Sequence, residues 1–162
     1  MSKTKFQLIP FERNTHFSIS GSLLSTNKNT LTCAVHIEGP LDTLKIPKPT
    51  TPQKQEGLWA STCVELFVFS DNKHYLEWNF SPSGAWWVMS FSDYRIRSTH
   101  EPELIPNHCT WTQEQKLSCH IEVPCPFTPE KLQITCILET TDGTKTHWAP
   151  KHPKDKPDFH VF

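Results

Sequence analysis

The sequence predicts an all-β fold, an antiparallel β-sandwich, on three observations. Apolar residues alternate at a period of two in run after run, helical periodicity of useful length is missing, and turn signals separate the runs. The first run sets Leu31, Cys33, Val35 and Ile37 against Thr32, Ala34 and His36. Val64, Leu66 and Val68 form a second row, and Leu76, Trp78 and Phe80 a third. Leu117, Cys119, Ile121 and Val123 follow, then Leu132, Ile134, Cys136 and Leu138. Side chains two apart share a face, so each run can put one row into a core. Between them lie turn candidates at Asp71-Asn72-Lys73, Ser81-Pro82-Ser83-Gly84 and Asp142-Gly143, where Asn, Asp and Gly tolerate positive φ and Pro sets a turn entry. One short helical turn is expected after Pro129, in PEKL. Two long connections, residues 39–57 and 96–108, read as functional rims or lids.

Size and composition bound the function. The 162 residues read as one domain spanning 1–162, large enough for a genuine core. A formal net charge of -1 offers no basic stripe to a phosphate backbone, so no nucleic-acid partner is expected. No apolar run approaches a membrane span, and the first residues, MSKTKFQLIPFERNTHF, lack the apolar core of a signal peptide; no membrane association and a cytoplasmic location are expected. Of the six cysteines none forms a C-x-x-C pair, and four fall in predicted strands as small buried hydrophobes, so reduced thiols are expected.

The stretch from Leu58 to Arg95 is the most informative. With Val64, Leu66, Val68, Leu76, Trp78 and Phe80 pointing inward, parity turns Cys63, Glu65, Phe67, Phe69, Tyr75, Glu77 and Asn79 to the other face. The connecting turn is short, so the two strands are neighbours and Glu65 lies near Glu77 or Asn79. Exposed carboxylates on a two-faced sheet are ordinarily just solvated. Here Trp59, Tyr75, Trp86, Trp87 and Tyr94 crowd the same region, and flat aromatic faces beside Glu, Asn and Arg suit a carbohydrate.

The patterns L-W-x-x-T-C-x-E-x-F, Y-x-E-x-N-F-S-P-S-G-x-W and F-x-x-Y-R, with a terminal H-P-x-x-K-P-D-F-H followed by Phe162, cover about a third of the chain in order. Together they resemble the DOMON-like domains related to type 9 carbohydrate-binding modules, in particular their small free-standing bacterial branch. The resemblance implies a ligand-binding β-sandwich of immunoglobulin-like or jelly-roll, DOMON-like type, for sugar or haem depending on the branch. It implies ligand contacts at Trp59, Glu65, Glu77, Asn79 and Arg95. Trp86 or Trp87 is the second stacking platform, and parity favours Trp87; Tyr75 joins the same face.

The C-terminal HWAPKHPKDKPDFHVF gathers His147, His152, Asp158 and His160, but its prolines forbid the helix on which metal hydrolases space two histidines. The tail is expected to be extended, with Phe159 and Phe162 packed on the sandwich and His152, Asp158 and His160 completing the rim of the site. Haem or a metal ion is the alternative occupant, Met89 and the histidines supplying ligand types, although no C-x-x-C-H attachment site exists. Glu65 and Glu77 as neighbours on one flat sheet are poorly placed to flank a glycosidic bond. The expectation is therefore a non-catalytic module for a carbohydrate or glycan fragment, without a resident cofactor. A haem or metal redox domain and a structural protein-interaction domain are the alternatives.

Overall fold

The computed structural model describes residues 3–13, 15–26, 29–71 and 73–161; the calls for Asn72 in a turn and for Phe162 in the packed tail lie outside them. The all-β antiparallel class is observed. Among the described residues eleven strands run in chain order as β1 (Lys3–Pro10), β2 (Ser18–Thr26), β3 (Thr30–Glu38), β4 (Cys63–Phe69), β5 (Tyr75–Phe80), β6 (Trp86–Asp93), β7 (Ile96–Arg97), β8 (His108–Gln113), β9 (Leu117–Pro124), β10 (Lys131–Glu139) and β11 (Lys145–Ala149). They are hydrogen-bonded in the order β7-β6-β5-β4-β10-β11-β1-β2-β3-β9-β8.

The five predicted runs are β3, β4, β5, β9 and β10, and each puts its apolar row where alternation requires. β3 buries Leu31, Cys33, Val35 and Ile37, while β4 and β5 send Val64, Leu66, Trp78 and Phe80 to the same cluster. That cluster also takes Ile19 of β2, Ile121 of β9, Ile134 and Leu138 of β10, and Trp148 of β11. Side chains of this size each contribute about 1.5–3 kcal/mol when fully buried. One apolar core is thus built from both ends of the strand order.

The joint between those ends is β1. It pairs with β2 from Lys3 to Leu8, then its last two residues, Ile9 and Pro10, pair with Ala149 and Trp148 of β11. Its sequence hides this role, because Leu8 is its single buried residue. In β2, Gly21 lies so close to β3 that an added Cβ would stand 2.0 Å from the Ala34 carbonyl oxygen. Only glycine permits that approach.

The turns at 81–84 and 142–143 form as expected, with Gly84 at φ 92° and Gly143 at φ 86°. The helical turn after Pro129 does not. The amide of Glu130 donates to the Phe69 carbonyl at 2.8 Å and Lys131 enters β10, so the β4–β10 ladder claims this backbone. Residues 39–57 are partly tied to the sheet: Gln55 N–H donates to Trp86 O at 2.9 Å and Trp86 N–H to Gln53 O at 3.0 Å. All six cysteines are free thiols, five of them buried.

Candidate functional site

The parity expected of β4 and β5 holds, but the face carrying Glu65 and Glu77 does not meet solvent. Both strands are buried along their full length. A second apolar cluster of Cys63, Phe67, Phe69, Tyr75, Met89, Phe91, Ile137 and Phe159 covers that face, and Glu65, Glu77 and Asn79 are at most 4% exposed. The cover is the C-terminal segment. Phe159 seats its ring in the cluster, and its carbonyl accepts a hydrogen bond from Gln133 Nε2 at 2.9 Å.

Between the sheet face and this segment lies a cavity of about 360 Å³, within the usual size range of ligand pockets. Glu65 and Glu77 reach it from the sheet, Met89, Phe91, Ile137 and Phe159 make it apolar, and Trp59, Arg95, His147, Pro157 and His160 complete the lining. Register explains the carboxylates: Glu65 pairs with Asn79 and Glu77 with Phe67, which makes the two glutamates diagonal neighbours. Glu77 Oε1 accepts from Asn79 Nδ2 at 3.1 Å, and Glu65 Oε2 accepts from the Thr135 hydroxyl at 3.3 Å. Burial raises both acids above the usual carboxylate range. Glu77 is pushed up to about 7, and the neighbouring Glu77 charge raises Glu65 further.

Trp59 is held by a short 3-10 turn, Leu58–Ala60, that starts from Gly57 at φ 85°. Leu58 is buried while Trp59 stays 37% exposed at the cavity. Ser61 and Thr62 then anchor the turn to the end of β10. The Ser61 hydroxyl donates to Glu139 Oε2 at 2.6 Å, and Thr62 Oγ1 accepts from the Glu139 amide at 3.1 Å.

Arg95 sits in the β6–β7 turn with a left-handed φ of 54°. Its guanidinium donates to Asp158 Oδ1 at 2.8 Å, and Tyr94 donates its hydroxyl proton to the other oxygen of the same carboxylate. These bonds hold Asp158 below the usual carboxylate range despite its burial. The Arg95 amide donates to the Tyr75 hydroxyl at 3.1 Å, and that oxygen lies 2.7 Å from His160 Nδ1. A phenol that accepts from Arg95 has its proton free for His160, which leaves the imidazole proton on Nε2. His160 Nε2 is 3.7 Å from Glu77 Oε2. Burial lowers His160 to about 4, with the Arg95 charge acting in the same direction, so the ring is neutral around pH 7.

The structure brings Trp59, Glu65, Glu77, Arg95 and His160 together at the cavity. Asn79 and Asp158 stand one layer behind, bonded to Glu77 and Arg95. Tyr75 is also a support, its ring stacked between Phe69 and Phe91 at 4.7 and 4.5 Å. Trp86 and Trp87 are outside the cavity lining. Trp86 packs on the first core beside Trp78, on the opposite face, while Trp87 shares the site's face but carries Lys54 at 4.9 Å and Arg97 at 5.9 Å from its ring centre. His152 is not at the rim either, because its Nε2 is 2.7 Å from the Ile9 carbonyl oxygen. Alternation could have found Met89 and Phe91, which share the row of Trp87 on β6, and Ile137, which shares the row of Thr135 on β10. Nothing local in the sequence marks His147, Pro157 or Phe159 as lining. Among the described residues no group of three or more His, Cys, Asp or Glu is placed to hold a metal ion.

No protein-family model matches this chain, and no curated protein matches its sequence. Among solved structures, it is similar to a putative carbohydrate-binding protein from Bacteroides uniformis ATCC 8492, with a TM-score of 0.66 at 11% identity over 98% of this chain and 82% of that one. At that identity the likeness shows a shared fold.

Proposed function

We propose that this chain is a non-catalytic module that binds a carbohydrate or glycan fragment in the cavity between the β4–β5–β6 face and the C-terminal segment. The observation that carries the reading is the composition of that cavity: an exposed indole and apolar walls beside two buried carboxylates and a guanidinium. A sugar ring has an apolar face for Trp59 and Phe91 and hydroxyls for Glu65, Glu77 and Arg95. The fold likeness to a protein described as carbohydrate-binding supports the same reading, as does the sequence resemblance to DOMON-like and type 9 modules. Catalysis is not part of the proposal, because both glutamates rise from one sheet face rather than from opposite walls of a cleft.

Titration with a glycan panel, followed by tryptophan fluorescence, tests the proposal. Ligand should quench or shift the emission, and Trp59→Ala should remove most of the signal and weaken binding by tenfold or more. A blank panel would overturn the reading. A haem reading has one observation in its favour, since Met89, His147 and His160 line the same cavity. Haem titration separates the two: a Soret band that Met89→Leu or His160→Ala abolishes would replace sugar with haem.

A further inference from the structure

We infer that the ligand of this cavity carries an amine, so that the preferred glycan is a basic one with unacetylated amino groups rather than a neutral sugar. The inference deepens the carbohydrate reading and rests on it. It begins with charge balance. Arg95 brings the one guanidinium among the lining residues, and Asp158, itself buried, already neutralises it at 2.8 Å. His160 is hydrogen-bonded through Nδ1 to a phenol and is uncharged around pH 7. Arg97, the next cation along the turn, is held by Glu56 and Glu101 together. His147 faces Glu12 at 2.6 Å, so among the described lining residues no unpaired cation is left for Glu65 and Glu77.

The second observation is the free oxygen of Glu77. Its side chain is 5% exposed, and Oε1 is satisfied by Asn79. Oε2 has no hydrogen bond among the described residues, and His160 Nε2 at 3.7 Å is beyond hydrogen-bond reach. Glu65 is partly served, by the Thr135 hydroxyl and by a Cys63 thiol at 3.7 Å. A buried carboxylate oxygen that faces a cavity without a donor costs free energy until a ligand supplies one. A neutral hydroxyl supplies a proton donor but nothing that favours the ionised form of Glu77, which burial works against. An ammonium supplies donors and offsets the charge, and such charge-assisted bonds are roughly twice as strong as neutral ones.

A metal ion would answer the same charge, but the described residues provide no third His, Cys, Asp or Glu ligand. A quaternary ammonium has no N–H for Glu77 Oε2. The chemistry left is a protonated amine that keeps an N–H, which an unacetylated amino sugar carries as a primary amine, and Trp59 and Phe91 beside it would add cation–π attraction.

Calorimetric titration of the full chain at pH 7 tests this with four probes: glucosamine oligomers, N-acetylglucosamine oligomers, cello-oligomers and spermidine. The glucosamine oligomer should bind at least tenfold more tightly than either uncharged oligomer. Glu77→Gln should bring that ratio close to one by weakening the glucosamine oligomer at least tenfold more than the uncharged sugars, which lose only a hydroxyl contact, with folding checked by circular dichroism. A ratio near one in the unsubstituted protein, or a preference that survives Glu77→Gln, overturns the inference and leaves the carbohydrate reading standing. Binding of spermidine with no sugar of any kind overturns the carbohydrate reading while the ammonium site stands. Silence from all four probes overturns both.

Discussion

At the scale of single residues, two buried titratable groups in contact pull stability in opposite directions. Glu77 binds its proton at about 7 in the folded chain, against 4.5 for an ordinary glutamate. The folded state therefore holds more protons between those values, and the stability that protonated Glu77 contributes is full below 4.5 and lost as pH rises through 7. For this buried group the loss is on the order of 3 kcal/mol. His160 runs the other way: its value falls from 6.5 to about 4, so its contribution is full above 6.5 and lost as pH falls through 4. The two windows overlap between 4.5 and 6.5, where their slopes offset, and Glu65, also raised by burial, adds a further loss as pH rises. Glu77→Gln removes one of the two falling contributions and leaves Glu65 against His160. The variant should be more stable than the parent at pH 7.5, equal it at pH 4.5, and stay nearly level from pH 4.5 to 6.5, where the parent declines. Urea denaturation at a series of pH values reads all three features. A variant curve parallel to the parent's would mean that Glu77 ionises freely in the folded protein.

At the scale of elements, the C-terminal segment turns a sheet face into a cavity, and Phe159 is its anchor. The ring is 7% exposed within the second cluster, and its neighbour Asp158 ties the same segment to the β6–β7 turn through Arg95 and Tyr94. Phe159→Ala should cost about 3 kcal/mol, at the low end of phenylalanine truncations because an unpaired segment can partly collapse onto the gap. The sheet should keep its far-ultraviolet circular dichroism while the uncovered face binds a hydrophobic dye. Normal stability with no dye binding would show that the segment is not what covers β4 and β5. This element also marks where sequence reading stops. Strand identity and the side on which Glu65, Glu77 and Trp87 lie were legible, because both follow from a period of two. The cover was not, because His160 and Phe67 are nearly a hundred positions apart and no local pattern records their contact at 5.2 Å. Treating the second face as solvent-exposed followed from that gap. So did the choice of Trp87, whose ring is taken by Lys54 and Arg97 from two other segments. β1 escaped for a different reason: its value lies in backbone pairing at a joint, which leaves almost no apolar row to see.

At the scale of the whole molecule, the decisive feature is that both ends of the strand order feed one core while, among the described strands, β1 alone joins them in the hydrogen-bond ladder. If the core dominates, neither end can unfold without exposing the apolar face of the other, and unfolding should be a single event. The cysteines report this directly. Cys33 on β3 and Cys119 on β9 lie at one end, Cys136 on β10 lies at the other, and all three sit in the shared core at most 1% exposed. Cys63 on β4 lies in the second cluster, fully buried. Cys109 on β8 is half-buried at the sheet edge and should react first with a thiol reagent, at a rate insensitive to low denaturant. Cys33, Cys63, Cys119 and Cys136, each within a strand, need an opening large enough to expose that strand from both faces. Mass spectrometry after pulsed alkylation should find them modified together, at one rate that rises with denaturant as global unfolding does. Modification of Cys33 and Cys119 well ahead of Cys63 and Cys136 would show that β1 is a hinge between two separately stable units. In that case the cavity, built wholly on the Cys63 and Cys136 side, would keep its ligand while the other half opened. A single rate instead ties ligand binding to the whole fold: saturating ligand should then slow the labelling of distant Cys33 by the same factor as that of Cys63 beside Glu65.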